Sequence, residues 1–357
     1  MFNQPYINKQ INIPYLLKIG NGKIYKIGKY LIDKNLQNIA LFLGEGTEEL
    51  IGEKLYQGFK DNNIHIAHKQ IINDISIEAI NKTAFQLPPE TDAIVGIGGG
   101  KALDFAKYSA HLLRLPFVSV PTSTSNDGFC SPTSSLTVDG KRKTVKSSIP
   151  FGVVMDLDVI KSCPPIFFYS GIGDMVSKIT ALADWKEAAN RKLERYSDFA
   201  SMLAYNSLDL LFIKHSYDIN APEFQRSLST SLLMSGIAME VAGTSRPASG
   251  SEHLISHALD SISERPQMHG LQVGTATYLC ALLQNNPSTD SLREILHKTG
   301  FFDFVKQNPF KKSEFEAALK LAPSIKRGFY TILSEADSYD KALSFINTDP
   351  ILQELIK

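Results

Sequence analysis

Apolar positions in the first half of the chain fall into short runs separated by longer amphipathic stretches. Ile39–Leu43 is one such run, Thr47–Phe59 follows with helical spacing, and Ile64–Ala67 is a second short run. Ala93–Ile97 reads as a buried strand ending in glycines, Lys101–Leu113 as a helix, and Pro116–Val120 as the next strand. This alternation predicts a parallel sheet with helices on both faces. Past about residue 165 the strand patterns fade. Asp174–Arg195, without Gly or Pro, reads as one long helix, and Arg226–Val241, Gly250–Ser263 and Val273–Leu283 as three more. Pro164 and Pro165 punctuate the change. We therefore expect an α/β unit over residues 1–163 and an all-helical unit over 164–357. Ligands in such architectures sit in the cleft beyond the carboxyl ends of the strands.

Composition narrows the class. At ~100–200 residues per domain, 357 residues suit two domains or one large one. Lys+Arg and Asp+Glu are both 37, so no net charge favours nucleic acid or a membrane surface. Cys130, Cys163 and Cys280 are far apart and odd in number, which argues against a disulfide framework or a cysteine zinc site and suits a reducing cytoplasm. The amino-terminal stretch lacks the basic-then-apolar order of a signal peptide. No apolar run approaches the ~20 residues of a membrane span.

The chemistry sits in three places. Gly96-Ile-Gly98-Gly99-Gly100-Lys101 follows a strand and opens a helix, where free N–H groups and the helix dipole suit a phosphate. Its spacing is neither the Rossmann fingerprint nor a P-loop, and the glycines could instead serve tight strand–helix packing. Asp104 in that helix reads as a dipole partner. The next strand ends in Thr122-Ser-Thr-Ser-Asn-Asp127, on the same sheet edge if the strands are parallel, and its hydroxyls could meet a dinucleotide or merely bond within the turn. Third, His253 and His257 share one helix face, His269 begins a further helix, and Asp174 after Gly171-Ile-Gly173 reads as opening another. Together they could hold a divalent metal, or cap helices and sit in core hydrogen bonds. His253-Leu-Ile-Ser-His257 lacks the Glu that zinc proteases use as base, which disfavours metal hydrolysis. His65, His68, His111, His215 and His297 invite no role, Trp185 reads as helix core, and Lys141-Arg-Lys143 with Lys146 as a solvated hairpin that could alternatively face an anion.

In this order, these residues resemble the glycerol-1-phosphate dehydrogenase family, within the group of iron-containing alcohol dehydrogenases, glycerol dehydrogenases and dehydroquinate synthases. The match runs from about Leu16 to Leu283. It is densest in Gly98-Gly-Gly-Lys-Ala-Leu-Asp104, Val120–Gly128, Asp156-Leu-Asp158, Gly173-Asp174, Ser249-Gly-Ser-Glu-His253, Ser256–Asp260 and His269-Gly270. The resemblance implies a Rossmann-like α/β domain followed by an all-α domain, in the dehydroquinate synthase-like arrangement. It implies NAD or NADP on Gly98, Gly99, Gly100, Lys101, Ala102, Thr122, Ser123, Thr124, Ser125 and Ser131. It implies Zn2+, or another divalent metal, on Asp174, His253 and His269, with Asp127, Asp174 and His257 touching substrate. Glu45, after the Ile39–Leu43 strand, is a candidate for the adenosine ribose, where a carboxylate favours NAD. Lys178 stands where iron-dependent alcohol dehydrogenases place a His ligand, and Asp174 where dehydroquinate synthases use Glu. Asn126 and Leu271 depart from the preferred family, which commonly has His and Glu there.

The implied reaction is metal-dependent, NAD(P)-linked interconversion of dihydroxyacetone phosphate and sn-glycerol 1-phosphate. The partners expected are a small glycerophosphate or polyol, no nucleic acid and no membrane, with self-association as a homo-oligomer. Alternatives of the same fold are a glycerol or other small-polyol dehydrogenase, a carbocycle-forming lyase of the dehydroquinate synthase type, and a non-catalytic binding protein. Catalytic work falls to Asp127 and to His257, whose imidazole ordinarily titrates in a useful range for protonating an alkoxide. Arg246 with Ser249 and Ser251, before a helix start, is the expected phosphate site.

Overall fold

The computed structural model describes residues 11–212 and 217–357, so His215 and the first ten residues of the amino-terminal stretch lie outside the described residues. The first half runs β1 (Leu16–Gly20), α1 (Ile27–Ile32), β2 (Asn38–Gly44), α2 (Thr47–Asp61), β3 (His65–Ile72), α3 (Ile77–Gln86), β4 (Ala93–Gly98) and α4 (Gly100–Leu113). It continues with β5 (Phe117–Pro121), a 3-10 turn (Asp127–Cys130), the hairpin β6 (Thr133–Val138) and β7 (Lys141–Lys146), β8 (Gly152–Asp156) and α5 (Leu157–Lys161). Six strands form a parallel sheet in the order β1-β8-β5-β4-β2-β3. The inner strands β4, β5 and β8 are buried throughout, which is why β4 and β5 stand out in the sequence as apolar runs. The edge strand β1 is half exposed and carries Lys18, so its pattern is too weak to stand out in the sequence.

From β2 the chain moves outward to β3, and from β4 it moves the other way to β5. The crevice between the carboxyl ends of β2 and β4 is thus a topological switch point, the usual ligand position in an open α/β sheet. Gly44 and Gly98 flank it. Gly98 has φ +142°, and a Cβ there would stand 3.0 Å from the Gly44 nitrogen, so only glycine fits. The Asp156 carboxylate accepts from the N–H groups of Gly22, Ile24 and Asp158, so the Asp156-Leu-Asp158 motif ties β8 to the loop after β1.

The rest is helical: α6 (Pro165–Val176), α7 (Lys178–Asn190), α8 (Asp198–Phe212), α9 (Pro222–Ala242), α10 (Ser251–Ile262), α11 (His269–Leu283) and α12–α16 (Thr289–Lys298, Phe301–Lys306, Lys312–Ile325, Ser338–Thr348 and Pro350–Leu355). Among the described residues, no helix is long and apolar enough to cross a membrane. The long helix expected over Asp174–Arg195 is corrected. Pro165 starts α6 at its first position, the chain breaks at Ser177, and Asp174 lies in the last turn of α6 rather than opening a helix.

Gly171 and Gly173, which read as a helix start, are instead interior helix positions where backbones nearly touch. A Cβ on Gly173 would lie 1.9 Å from the Gly270 carbonyl, and one on Gly171 2.0 Å from the Thr124 carbonyl. A Cβ on Gly270 would in turn lie 1.8 Å from the Ser170 carbonyl. Close packing of α6 against α11 and against the turn after β5 accounts for all three glycines. One apolar core runs from Phe42 and Phe105 in the sheet layer to Ile172, Leu254 and Phe301 in the helices, while a second fills the opposite sheet face.

Gly173→Ala must push α6 off α11, and overpacking of this kind costs about 1–3 kcal/mol or more. Urea unfolding should show at least that loss, and a variant as stable as wild type would contradict the close approach described.

Candidate metal and cofactor site

The carboxyl ends of β4 and β5 are joined at the turn, where the Thr122 N–H donates to the Gly98 carbonyl at 3.1 Å. Gly99 precedes α4 with ordinary extended backbone (φ −81°, ψ −178°), so the chain conformation alone does not demand glycine. A Cβ on Gly99 or Gly100 would meet nothing within 4 Å. These two glycines face open space at a helix N-terminus, whereas Gly96, whose Cβ would strike Ala106 at 2.6 Å, serves packing. Lys101 is exposed and Ala102 buried. Glu45 is exposed directly after β2, across the switch-point crevice.

In the hydroxyl-rich turn, Thr122, Ser123 and Ser125 are half-buried, while Thr124 and Ser131 are fully buried behind it. The Ser131 hydroxyl is engaged by the Gly128 and Thr133 carbonyls. Lys107, buried on α4, donates to the Gly128 carbonyl at 2.6 Å and lies 3.4 Å from Asp104, so Asp104, which lies beyond the first turn of α4, is an ion-pair partner of Lys107 rather than the dipole partner expected. Ser170 donates to the Ser125 carbonyl and accepts from the Gly270 N–H, pinning the turn between α6 and α11.

Asp174, His253 and His269 come from three different helices, α6, α10 and α11, and their ligand atoms all lie within 4.8 Å of one another. Asp174 Oδ1 is 3.5 Å from His253 Nε2 and 4.0 Å from His269 Nε2. Asp174 Oδ2 accepts the Asp127 N–H at 2.9 Å, which joins the triangle to the turn after β5. The Asp127 carboxylate accepts from Ser235 at 2.6 Å and from Lys178 at 3.1 Å. Lys178, fully buried at the start of α7, also donates to the Asp174 carbonyl at 2.7 Å. The His257 ring centroid is 6.4 Å from that of His253 and 6.0 Å from that of His269. His257 thus adjoins the triangle without belonging to it.

Burial alone would raise the Asp174 carboxyl, but Lys178, His253 and His269 outweigh it and hold it well below the usual carboxylate range. Burial would lower Lys178, yet Asp127 and Asp174 keep its ammonium above the ordinary value. Against burial, hydrogen bonds to Asp174 and Glu252 push His253 up to about 9, while burial and the His253 charge push His269 down to about 3. The same carboxylates that favour a proton on His253 favour a cation facing its Nε2. With His253 neutral, as a cation bound to its Nε2 requires, three carboxylates, Asp127, Asp174 and Glu252, stand against one ammonium, Lys178, and two formal negative charges remain. Two imidazoles and a carboxylate with that charge deficit fit a divalent metal.

Two expectations are corrected. Burial, the His253 charge, and the cations Lys326 and Arg142 push His257 down to about 4, so it is neutral at pH 7 and does not titrate in the useful range. Arg246 is no phosphate site: it is fully buried, bound through two nitrogens to Glu194 and through a third to the Tyr330 carbonyl, and stacked on Phe329. Ser251 is fully buried as well. Trp185 is core, as expected, with its indole N–H on the Arg195 carbonyl. The sequence reading missed Lys107, Ser235, Glu252 and, as a cation, Lys178. Only the last two left a signal, Lys178 by its helical spacing from Asp174 and Glu252 by its place beside His253.

The sequence profile of the iron-containing alcohol dehydrogenases matches residues 18–164. Among solved structures, glycerol dehydrogenase from Schizosaccharomyces pombe superposes with a TM-score of 0.78 at 20% identity, over 98% of this chain and 92% of that one. Sulfoacetaldehyde reductase from Bifidobacterium kashiwanohense, in complex with NAD+, superposes with a TM-score of 0.73 at 14% identity over 95% and 99% of the two chains. Both show the fold. The glycerol-1-phosphate dehydrogenase [NAD(P)+] of Staphylothermus marinus is 33% identical over 338 residues, 93% of this chain and 95% of that protein. The triangle of Asp174, His253 and His269 and the open glycine turn thus stand in a chain that belongs to the glycerol-1-phosphate dehydrogenase family.

Proposed function

We propose that the protein interconverts dihydroxyacetone phosphate and sn-glycerol 1-phosphate with NAD(P) and a divalent cation, zinc in our reading. One observation carries this: the Asp174–His253–His269 triangle is hydrogen-bonded through Asp127 to the sheet edge that holds Gly98–Gly100. A hydride donor and a substrate oxygen can therefore be held side by side. We assign residues 1–163 to the dinucleotide and 164–357 to the metal ligands.

The nicotinamide would supply the hydride. A cation on Asp174, His253 and His269 would polarise the substrate oxygen as a Lewis acid. The residues around them position and screen. Gly99 and Gly100 leave room for the pyrophosphate against the α4 N-terminus, with Lys101 beside it. Glu45 would accept from a ribose 2′-hydroxyl and repel a 2′-phosphate. Thr122, Ser123 and Ser125 would face the dinucleotide, with Thr124 and Ser131 supporting the turn from behind. Asp127, held by Lys178 and Ser235, presents an oriented carboxylate to substrate hydroxyls. His257, neutral, would offer a ring N–H to a substrate oxygen rather than act as an imidazolium acid, and a positive charge nearby would lower it further. Lys326 and Arg142, whose fields reach His257 from just past α14 and from the β6–β7 hairpin, suit a phosphorylated substrate.

Oxidation of NADH or NADPH by dihydroxyacetone phosphate should be abolished by a chelator and restored by zinc. The same assay with Lys326→Met or Arg142→Ala should show KM for the phosphorylated ketone rising about tenfold, with KM for dihydroxyacetone unchanged. A wild-type enzyme that reduces only dihydroxyacetone would move the function to polyol oxidation. Gly99→Ala should unfold like wild type, since its Cβ meets nothing, yet bind NADH at least about tenfold more weakly by fluorescence titration. His257→Gln should lower kcat. Because the imidazole stays neutral above about pH 5, any limb of the wild-type rate profile between about pH 5.5 and 8 should survive the substitution. A limb lost in that range would restore His257 as the proton donor.

A further inference from the structure

The two metal-facing imidazoles are held from behind by chemically different partners. His253 Nδ1 is 2.9 Å from Glu252 Oε1. Adjacent residues on a helix ordinarily point apart. Here Glu252 folds back over the first turn of α10: its Oε1 also accepts the Gly250 N–H at 2.6 Å, and its Oε2 accepts the Thr180 hydroxyl at 2.6 Å. Glu252 is fully buried, and no Lys or Arg lies in ion-pair contact with it among the described residues. His269 has a neutral partner. Its Nδ1 is 3.0 Å from the Ser256 hydroxyl, which donates to Gln272 Oε1 at 2.6 Å. Gln272 Nε2 in turn donates to Asp260. Because the Ser256 hydrogen is committed, that oxygen can only accept from His269.

A buried carboxylate is costly unless hydrogen-bond donors and a cation compensate it. Among the described residues the ion-pair contact of Glu252 is the His253 ring, so its charge is compensated when that ring carries a proton or a cation on its far side. We propose that Glu252 is a positioning residue for His253: it keeps the ring proton on Nδ1, aims Nε2 at the metal position beside Asp174, and supplies the negative charge that strengthens cation binding there. Ser256 sets the same tautomer at His269 without charge. The proposal rests on the metal-site reading above.

The test is the zinc affinity of the metal-free protein, by competition with a chromophoric chelator, for wild type, Glu252→Gln and Ser256→Ala. Loss of an outer partner of a metal-bound His typically weakens binding 10–100-fold. Glu252→Gln, nearly isosteric, should fall in about that range, and Ser256→Ala should lose only a few-fold. A Glu252→Gln protein with wild-type zinc affinity, or with only a lowered Tm of the metal-free form, would reduce Glu252 to a helix cap and overturn the proposal. Histidine 15N spectra of zinc-loaded wild type give a reading that needs no variant. They should show His253 with Nδ1–H, and Nε2–H would refute the assignment. If wild type itself binds no zinc, the metal-site reading fails and the proposal with it. If wild type binds and Glu252→Gln matches it, only the role of Glu252 falls.

Discussion

The Asp174 carboxylate is the point on which the architecture converges. One oxygen faces two imidazoles from α10 and α11, and the other accepts an N–H from the turn that ends β5. A buried carboxylate survives only if such partners compensate its lost hydration. Lys178 provides that compensation, and it does so for Asp127 at the same time. The position of Asp174 is set in turn by backbone contact between α6 and α11, where glycine alone fits at 173 and 270. Sheet edge and helical half are thus joined by one charged hydrogen-bond network.

The network divides labour among groups of the same chemical type. Three histidines lie within one small volume, yet His253 is pushed toward the charged form and His257 and His269 toward the neutral one. The cause is position: His253 bonds two carboxylates, while the other two are buried beside its charge. The lysines divide likewise. Lys107 builds the turn after β5, Lys178 balances the carboxylates, and the Lys326 charge reaches His257. The buried arginine, Arg246, is wholly structural and ties the loop before α10 to Glu194 and Tyr330.

The motif residues of the resemblance sort by the same geometry. Gly99 and Gly100 leave space for a ligand, whereas Gly96, Gly171 and Gly173 let backbones approach. Asp156 anchors a loop far from the metal triangle in chemical role, bonding only backbone N–H groups here. In Ser249-Gly-Ser-Glu-His253 and Ser256–Asp260, the neighbours of the imidazoles bond them from behind: Glu252 behind His253, and Ser256 behind His269.

By itself the sequence determined the α/β-then-helical order and the buried strands β2, β4 and β5, and it brought Asp174, His253, His257 and His269 forward as one candidate cluster, from which the family resemblance picked out Asp174, His253 and His269. Unbroken apolar runs, helical spacing and residue chemistry are local properties, so they are legible in one dimension. The edge strand β1 was not, because half its residues face solvent. The α6 boundary was misread because a helix-interior glycine and a helix-start glycine look alike until the neighbouring helix is in place. Only the tertiary structure decided that Arg246 is spent on Glu194, that His257 is neutral, and that Glu252 and Lys178 meet the site. Burial and through-space charge set those outcomes, and both depend on segments far apart in the chain.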